Sequence, residues 1–415
     1  MSMTDAAAAT HISNRLAFGP HPRAVETPPP GPAALVDELL SRAPLAFDPP
    51  GDIDHGFEHA PESVTDDSRL VRWWLQRMAD PDAGIGDRMM WFWHTHFTTS
   101  TDKASTQLAW RQLRTIHRHA LGSFAELLRV LITDGAMLQY LDGDGSDAAH
   151  PNENFSREVL ELFTVGRGGY GEADVRAGAR ILAGWYIDWE RSEVAQNLDQ
   201  ELTFGVPYLG RLARTVDDLV AAILGHPAAA RFVADKIHCE LVGVDPTDQR
   251  SQELATEFAA AGWSIAALVE QIVRHPSFLE HPRSRPKSAV EWVVSAAISL
   301  GLDLDDLDPW SLSELGQLPY HPPNVAGWPD RARWLSASQY LGRAGMVGNW
   351  ELDIAEKTGS TADPVAVWLQ RCGISDAGPA TLEALRLIAE QTDDDWTRGV
   401  IGLRITVLTP EFSLS

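Results

Sequence analysis

Apolar residues recur three and four positions apart along most of the chain, and that period fixes the fold class before any other feature. Leu70, Val71, Trp74, Leu75 and Met78 form one such stripe, and Met89, Met90, Trp93 and Phe97 form the next. The spacing predicts helices over 33–42, 68–78, 85–97, 107–119, 124–141, 154–165 and 173–182. Others are predicted over 216–224, 228–242, 249–260, 265–274, 288–300, 311–316, 336–350, 363–372, 380–391 and 393–409. Punctuation agrees with the period. The turn-rich run Thr27-Pro28-Pro29-Pro30-Gly31-Pro32 precedes the first helix, Ser123 suits an N-cap, and Gly166 ends a helix. Helical period lapses between Asp188 and Arg211, where alternation around Leu202, Phe204 and Val206 allows at most a short hairpin. The expectation is a mostly α protein of about fifteen helices. That gap divides it into an N-terminal lobe over 12–187, a connector over 188–211 and a C-terminal lobe over 212–415, unless the body is continuous.

With 415 residues, the length prior is two to three domains, and the 44% hydrophobic and 22% charged composition is ordinary for a globular chain. Two cysteines, Cys239 and Cys372, cannot build a disulfide framework. No apolar run approaches the roughly 20 residues that span a bilayer. Residues 1–10 lack the basic and apolar regions of an export signal, so the expected compartment is the cytoplasm. Thirty-four Lys and Arg against 58 Asp and Glu leave a net charge of −24, which repels phosphate backbones and argues against nucleic acid as a partner.

Three clusters carry polar residues inside apolar runs. In Trp91-Phe92-Trp93-His94-Thr95-His96-Phe97 the aromatics suit a core. His94 and His96 stand about 200° apart on a helix and cannot share a metal there. His96, next to the polar Thr98-Thr99-Ser100 loop, is the better candidate for chemistry. In the second cluster, 151–163, Asn154, Glu158 and Glu161 fall within about 60° of one another on an α-helix, with Arg157 at the margin. Such a face suits an acid/base pair or a cation. It equally suits a salt-bridge network in which Arg157, Arg176 or Arg180 neutralises the glutamates, and Arg157 is placed to pair with Glu161. The third cluster, Tyr320-His321-Pro322-Pro323-Asn324-Val325-Ala326-Gly327-Trp328-Pro329, is a rigid loop able to present Asn324 and Trp328 as binding groups.

The loop before the second cluster has oxygen ligands where a calcium loop needs them: Asp142, Asp144 and Ser146 at the first, third and fifth positions and Glu153 at the twelfth. Asp147 stands where that loop needs glycine, so calcium or magnesium competes here with a plain polar turn. Phosphate-loop, nucleophile-elbow and His-Glu-x-x-His motifs are absent, and Gly166-x-Gly168-x-x-Gly171 follows a helix where a dinucleotide fingerprint follows a strand.

Several segments together resemble a known family. They are Arg15-Leu16-Ala17-Phe18-Gly19-Pro20, Phe92 to Phe97, His119 to Phe124 and Asn152-Glu153-Asn154-Phe155-Ser156-Arg157-Glu158. Glu161 to Thr164, Gly184-Trp185, Pro322 to Pro329 and Leu408 to Phe412 continue the likeness. The chain is similar over nearly its whole length to the bacterial family catalogued as domain of unknown function 1800, and the Asn-Glu-Asn-Phe block is its most specific part. The resemblance implies no reaction, since the family is named for lacking one. It implies relatives that are often secreted and often encoded beside a sulfatase-like protein, a candidate partner. The chain departs from the family in lacking an export signal, and in lacking the His-Asp and Lys pattern expected over 188–211, which implies an altered site. The expectation is an enzyme, or a degenerate relative of one, using His96, Asn154, Glu158 and Glu161 in one cavity, with or without a divalent cation; the gene company of the family it resembles implies hydrolysis of a polar or glycan-like substrate. The alternative is a non-enzymatic or chaperone-like partner of another protein, docking through its acidic surface.

Overall fold

The computed structural model describes residues 4–21, 31–48, 64–191, 193–329 and 331–415, so the proline turn at 27–30 lies outside the described residues. The chain is 59% helical, with 22 α-helices and two small two-stranded sheets among the described residues. Mostly α is therefore correct. The helix count exceeds the expected fifteen for local reasons. An unexpected N-terminal helix, Asp5–Leu16, is capped by Thr4, whose hydroxyl accepts from Ala7 N–H at 3.2 Å. The 124–141 stretch breaks into Phe124–Leu131 and Gly135–Tyr140, because Asp134 caps the second helix at Ala136 and Met137. Short turns such as Ser277–Glu280 and Ala355–Gly359 carry too few residues to show a period.

The irregular region holds two hairpins where one was expected. Trp185–Asp188 pairs antiparallel with Glu193–Gln196, and Val206–Tyr208 with Arg211–Ala213. Leu209 and Gly210 turn the second at φ of 48° and 76°, the left-handed pair that matches strand twist. One hydrophobic cluster draws residues from Ile12 to Phe412, from both sides of that region.

Two helices lie wholly inside this cluster. Every residue of Ile85–His96 except Thr95 is buried, as is every residue of Ala289–Leu300. A helix that is apolar on all sides belongs in an interior. Each of these nevertheless carries ionised side chains, Arg88 on the first and Glu291 on the second, and these charges must be met by partners inside. No described helix is long and apolar enough to cross a membrane.

Candidate functional site

Arg88 and Glu291, one from each central helix, meet in one network, while Asp87 on the first helix pairs separately with Arg77 at 2.6 Å. Glu291 accepts from Arg88, from Arg285 at 2.5 Å, and from the Ser288 N–H at 2.8 Å, the last completing a capping box at the helix start. Glu240, on helix Pro227–Val242, pairs with Arg88 and lies 3.4 Å from Arg285. Burial alone would raise the Glu291 carboxyl, but Arg285 and Arg88 more than offset it and hold it well below the usual carboxylate range. Glu291 is thus a fixed anion.

This network floors a cleft of about 500 Å³. Trp91 and Phe92 come from the central helix, Phe232 and Lys236 from Pro227–Val242, and Trp328 and Trp334 from the proline-rich loop and its continuation. Asp235 and Asp245 add carboxylates to its walls. The loop is seated by Thr101, whose N–H donates to Tyr320 O at 2.9 Å, and by a tilted ring contact of Trp328 with His94, centroids 5.5 Å apart.

The two histidines of the aromatic cluster have different surroundings. His94 is fully buried among Trp74, Tyr320 and Trp328, and burial lowers it to about 3, so it is a neutral core residue. His96 lines the cleft. Its Nε2 lies 3.0 Å from Phe163 O; a carbonyl only accepts, so Nε2 carries the hydrogen and Nδ1 the lone pair. Lys236 Nζ then donates to that Nδ1 at 3.3 Å and to Leu162 O at 3.1 Å. Burial lowers Lys236 to about 8. Burial, and then the Lys236 charge, hold the His96 imidazole neutral.

The carbonyls of Leu162 and Phe163 are available because the chain leaves α-helical geometry there. Glu153–Glu158 runs into a π-helical turn, Val159–Thr164, closed by Leu160 O accepting from Val165 N–H at 2.9 Å and Gly166 N–H at 3.0 Å. Gly166 has φ of 78°, and a β-carbon on it would come within 2.8 Å of the Phe232 ring, a wall of the cleft. Gly166→Ala is expected to cost about 1–3 kcal/mol in denaturant unfolding and to shift Phe232.

The π turn also changes the fate of the second cluster. Projection at about 100° per residue holds only on an α-helix. Arg157 pairs with Glu172 at 2.7 and 2.9 Å, and Glu161 with Arg167 at 2.5 Å and Tyr170 Oη at 2.9 Å, so the expected Arg157–Glu161 bridge is replaced by two others. Burial and the neighbouring Glu161 raise Glu158, while the bonds from Arg167 and Tyr170 lower Glu161. Neither glutamate lines the cleft, and nor do Arg157 or the exposed Asn154 and Arg180. Asn324 is exposed too, its Oδ1 closing a turn onto Ala326 N–H at 2.9 Å.

The calcium-loop residues are engaged elsewhere. Asp142 pairs with Lys103 at 2.6 Å, Asp144 accepts from Ile187 N–H at 3.0 Å on the first hairpin, and Glu153 is exposed in the first turn of its helix. Among the described residues, no group of three or more His, Cys, Asp or Glu side chains is arranged to hold a metal ion.

Comparison with known proteins adds a family. The model for "Protein of unknown function (DUF1800)" matches residues 11–414. The chain belongs to the DUF1800 family. No curated protein and no solved structure matches it. In this DUF1800 chain the residues that sequence reasoning passed over are Arg88, Lys236, Glu240, Arg285 and Glu291. Two signals were there to be read. Glu291 interrupts an otherwise uncharged helix, Ala289–Leu300, and Lys236 is one of only four lysines in the chain.

Proposed function

We propose that the cleft is the active site of a hydrolase-like enzyme for a polar, hydroxyl-rich ligand of the glycan kind, with Lys236 as the group that takes and returns a proton. The observation that carries this is the pairing of Lys236 with His96 Nδ1 and Leu162 O. A neutral amine has two hydrogens, and both are used by these acceptors, which leaves its lone pair for the cleft. A base poised near neutral pH is what proton transfer requires. The walls suit the ligand: Trp328, Trp334 and Phe92 offer faces for the C–H side of a sugar ring, while Asp235 and Glu240 accept from hydroxyls. Glu161 and Arg157, through Arg167, Tyr170 and Glu172, act as positioning residues that brace the π turn from outside.

The test is a panel of neutral oligosaccharides screened for binding and cleavage. Trp328→Ala is expected to weaken binding about tenfold. Lys236→Met is expected to lower turnover about a hundredfold or more with little change in binding. Binding that survives both substitutions unchanged would place the ligand elsewhere. A second reading, a protein partner, is favoured by Phe204 and Leu212, 80% and 75% exposed, the first just before the second hairpin and the other on its second strand. Phe204→Ser would break such docking and leave the cleft intact.

A further inference from the structure

Residues around 283–291 alternate between two cavities. Arg285, Ser288 and Glu291 line the cleft, whereas Arg283 and Lys287 line a second cavity of about 720 Å³. Its other walls are the Asp5–Leu16 helix, the loop at 279–282, the turn at 372–376 and the segment 411–415.

Three buried polar side chains of this cavity have hydrogen-bonding capacity to spare. His11, 3% exposed, donates from Nε2 to Phe278 O at 2.7 Å, which leaves Nδ1 as an acceptor, and that buried atom has no partner. Asn14, 7% exposed, has a buried Oδ1 with no partner. Lys287, 3% exposed, rests its Nζ over the Phe412 ring at 4.1 Å. Among the described residues no carboxylate is in ion-pair contact with it. A buried ammonium without a counter-ion gives up its proton readily, and burial lowers this one to about 7. Unmet polar groups are costly inside a protein and gather where a ligand completes them. Two acceptors and an amine in the lining of one cavity suit a ligand with hydroxyl hydrogens to give and an electrophilic carbon to receive the amine.

We propose that this cavity is a second site, which captures a small hydroxyaldehyde or hydroxyketone through Lys287, with His11 Nδ1 and Asn14 Oδ1 accepting from its hydroxyls. The amine nitrogen attacks the carbonyl carbon. The carbon–oxygen bond breaks, a carbon–nitrogen double bond forms, and the two amine hydrogens leave with the oxygen as water. No oxidant or reductant is consumed.

The chain's four lysines, Lys103, Lys236, Lys287 and Lys357, make the test direct. The full chain is incubated with glycolaldehyde and cyanoborohydride, which traps the imine, and each lysine is followed by peptide mapping. Lys287 should be labelled about tenfold faster than Lys103 and Lys357. Propanal, which lacks the hydroxyl, should label it more slowly, and Asn14→Ala should slow glycolaldehyde at Lys287 but not at Lys236. The unaltered chain supplies the main readout, so the result does not depend on a Lys287 variant folding. Labelling of Lys287 no faster than Lys357, or indifferent to the hydroxyl and to Asn14, overturns the proposal.

Discussion

Glu291→Ala should lower the unfolding free energy by about 3–5 kcal/mol, the largest effect expected of any single substitution in the cleft. The carboxylate is 2% exposed and stands between Arg88 and Arg285. Its removal leaves two buried guanidinium groups with Glu240 alone, and takes away the acceptor of the Ser288 N–H, one half of the capping box of a fully buried helix. Denaturant unfolding measures this as a fall in midpoint at unchanged slope. Adding Arg88→Met to Glu291→Met should cost less than the sum of the two single substitutions, by about 0.5–3 kcal/mol, because the second removes a charge that the first stranded. Additive costs would mean that the two side chains are not coupled.

The second large effect is loss of stability in acid. Burial lowers His94 to about 3; burial, and the charge of Arg15, lower His11 to about 4; burial lowers His238 to about 4. Each is neutral in the folded chain and takes a proton at about 6.5 when unfolded. The unfolded state therefore binds more protons below that value. The stability these groups contribute is fully present above pH 6.5 and is lost as pH falls towards 4, at about 1.4 kcal/mol per pH unit for each. Between pH 7.5 and 5 the three together should remove about 6 kcal/mol. His94→Phe, in a pocket already lined by Trp74 and Tyr320, should reduce the chain's loss over that range by about 2 kcal/mol. A pH dependence as steep in His94→Phe as in the unaltered chain would show that this imidazole is hydrated when folded.

The long helices were legible because each has a buried face that repeats. Asp5–Leu16 was not, since its first half is alanine and offers no stripe. The break at Asp134 turns on one side chain reaching two N–H groups, and a three/four count passes through it. His96 and Trp328, both flagged by polar atoms inside aromatic sequence, lie on the cleft. Asn154, Glu158 and Glu161 were grouped by projecting an α-helix through residues that adopt a π turn, a one-residue change in hydrogen bonding without a sequence signature. That turn places Leu162 and Phe163 carbonyls against Lys236 and His96. Lys236 comes from a helix more than 70 residues further on, a separation that no local pattern bridges.

The state of Lys236 is where the proposed function is most exposed to measurement. With four lysines in the chain, carbon-13 labelling at Cε gives a spectrum that Lys236→Arg assigns. Following that signal from pH 6 to 12, the expected midpoint is about 8, with a further displacement when a bound oligosaccharide covers the amine. A midpoint near 10.5, the ordinary lysine value, with no response to any ligand, would contradict a proton-carrying role for Lys236 and with it the reading of the cleft as an active site.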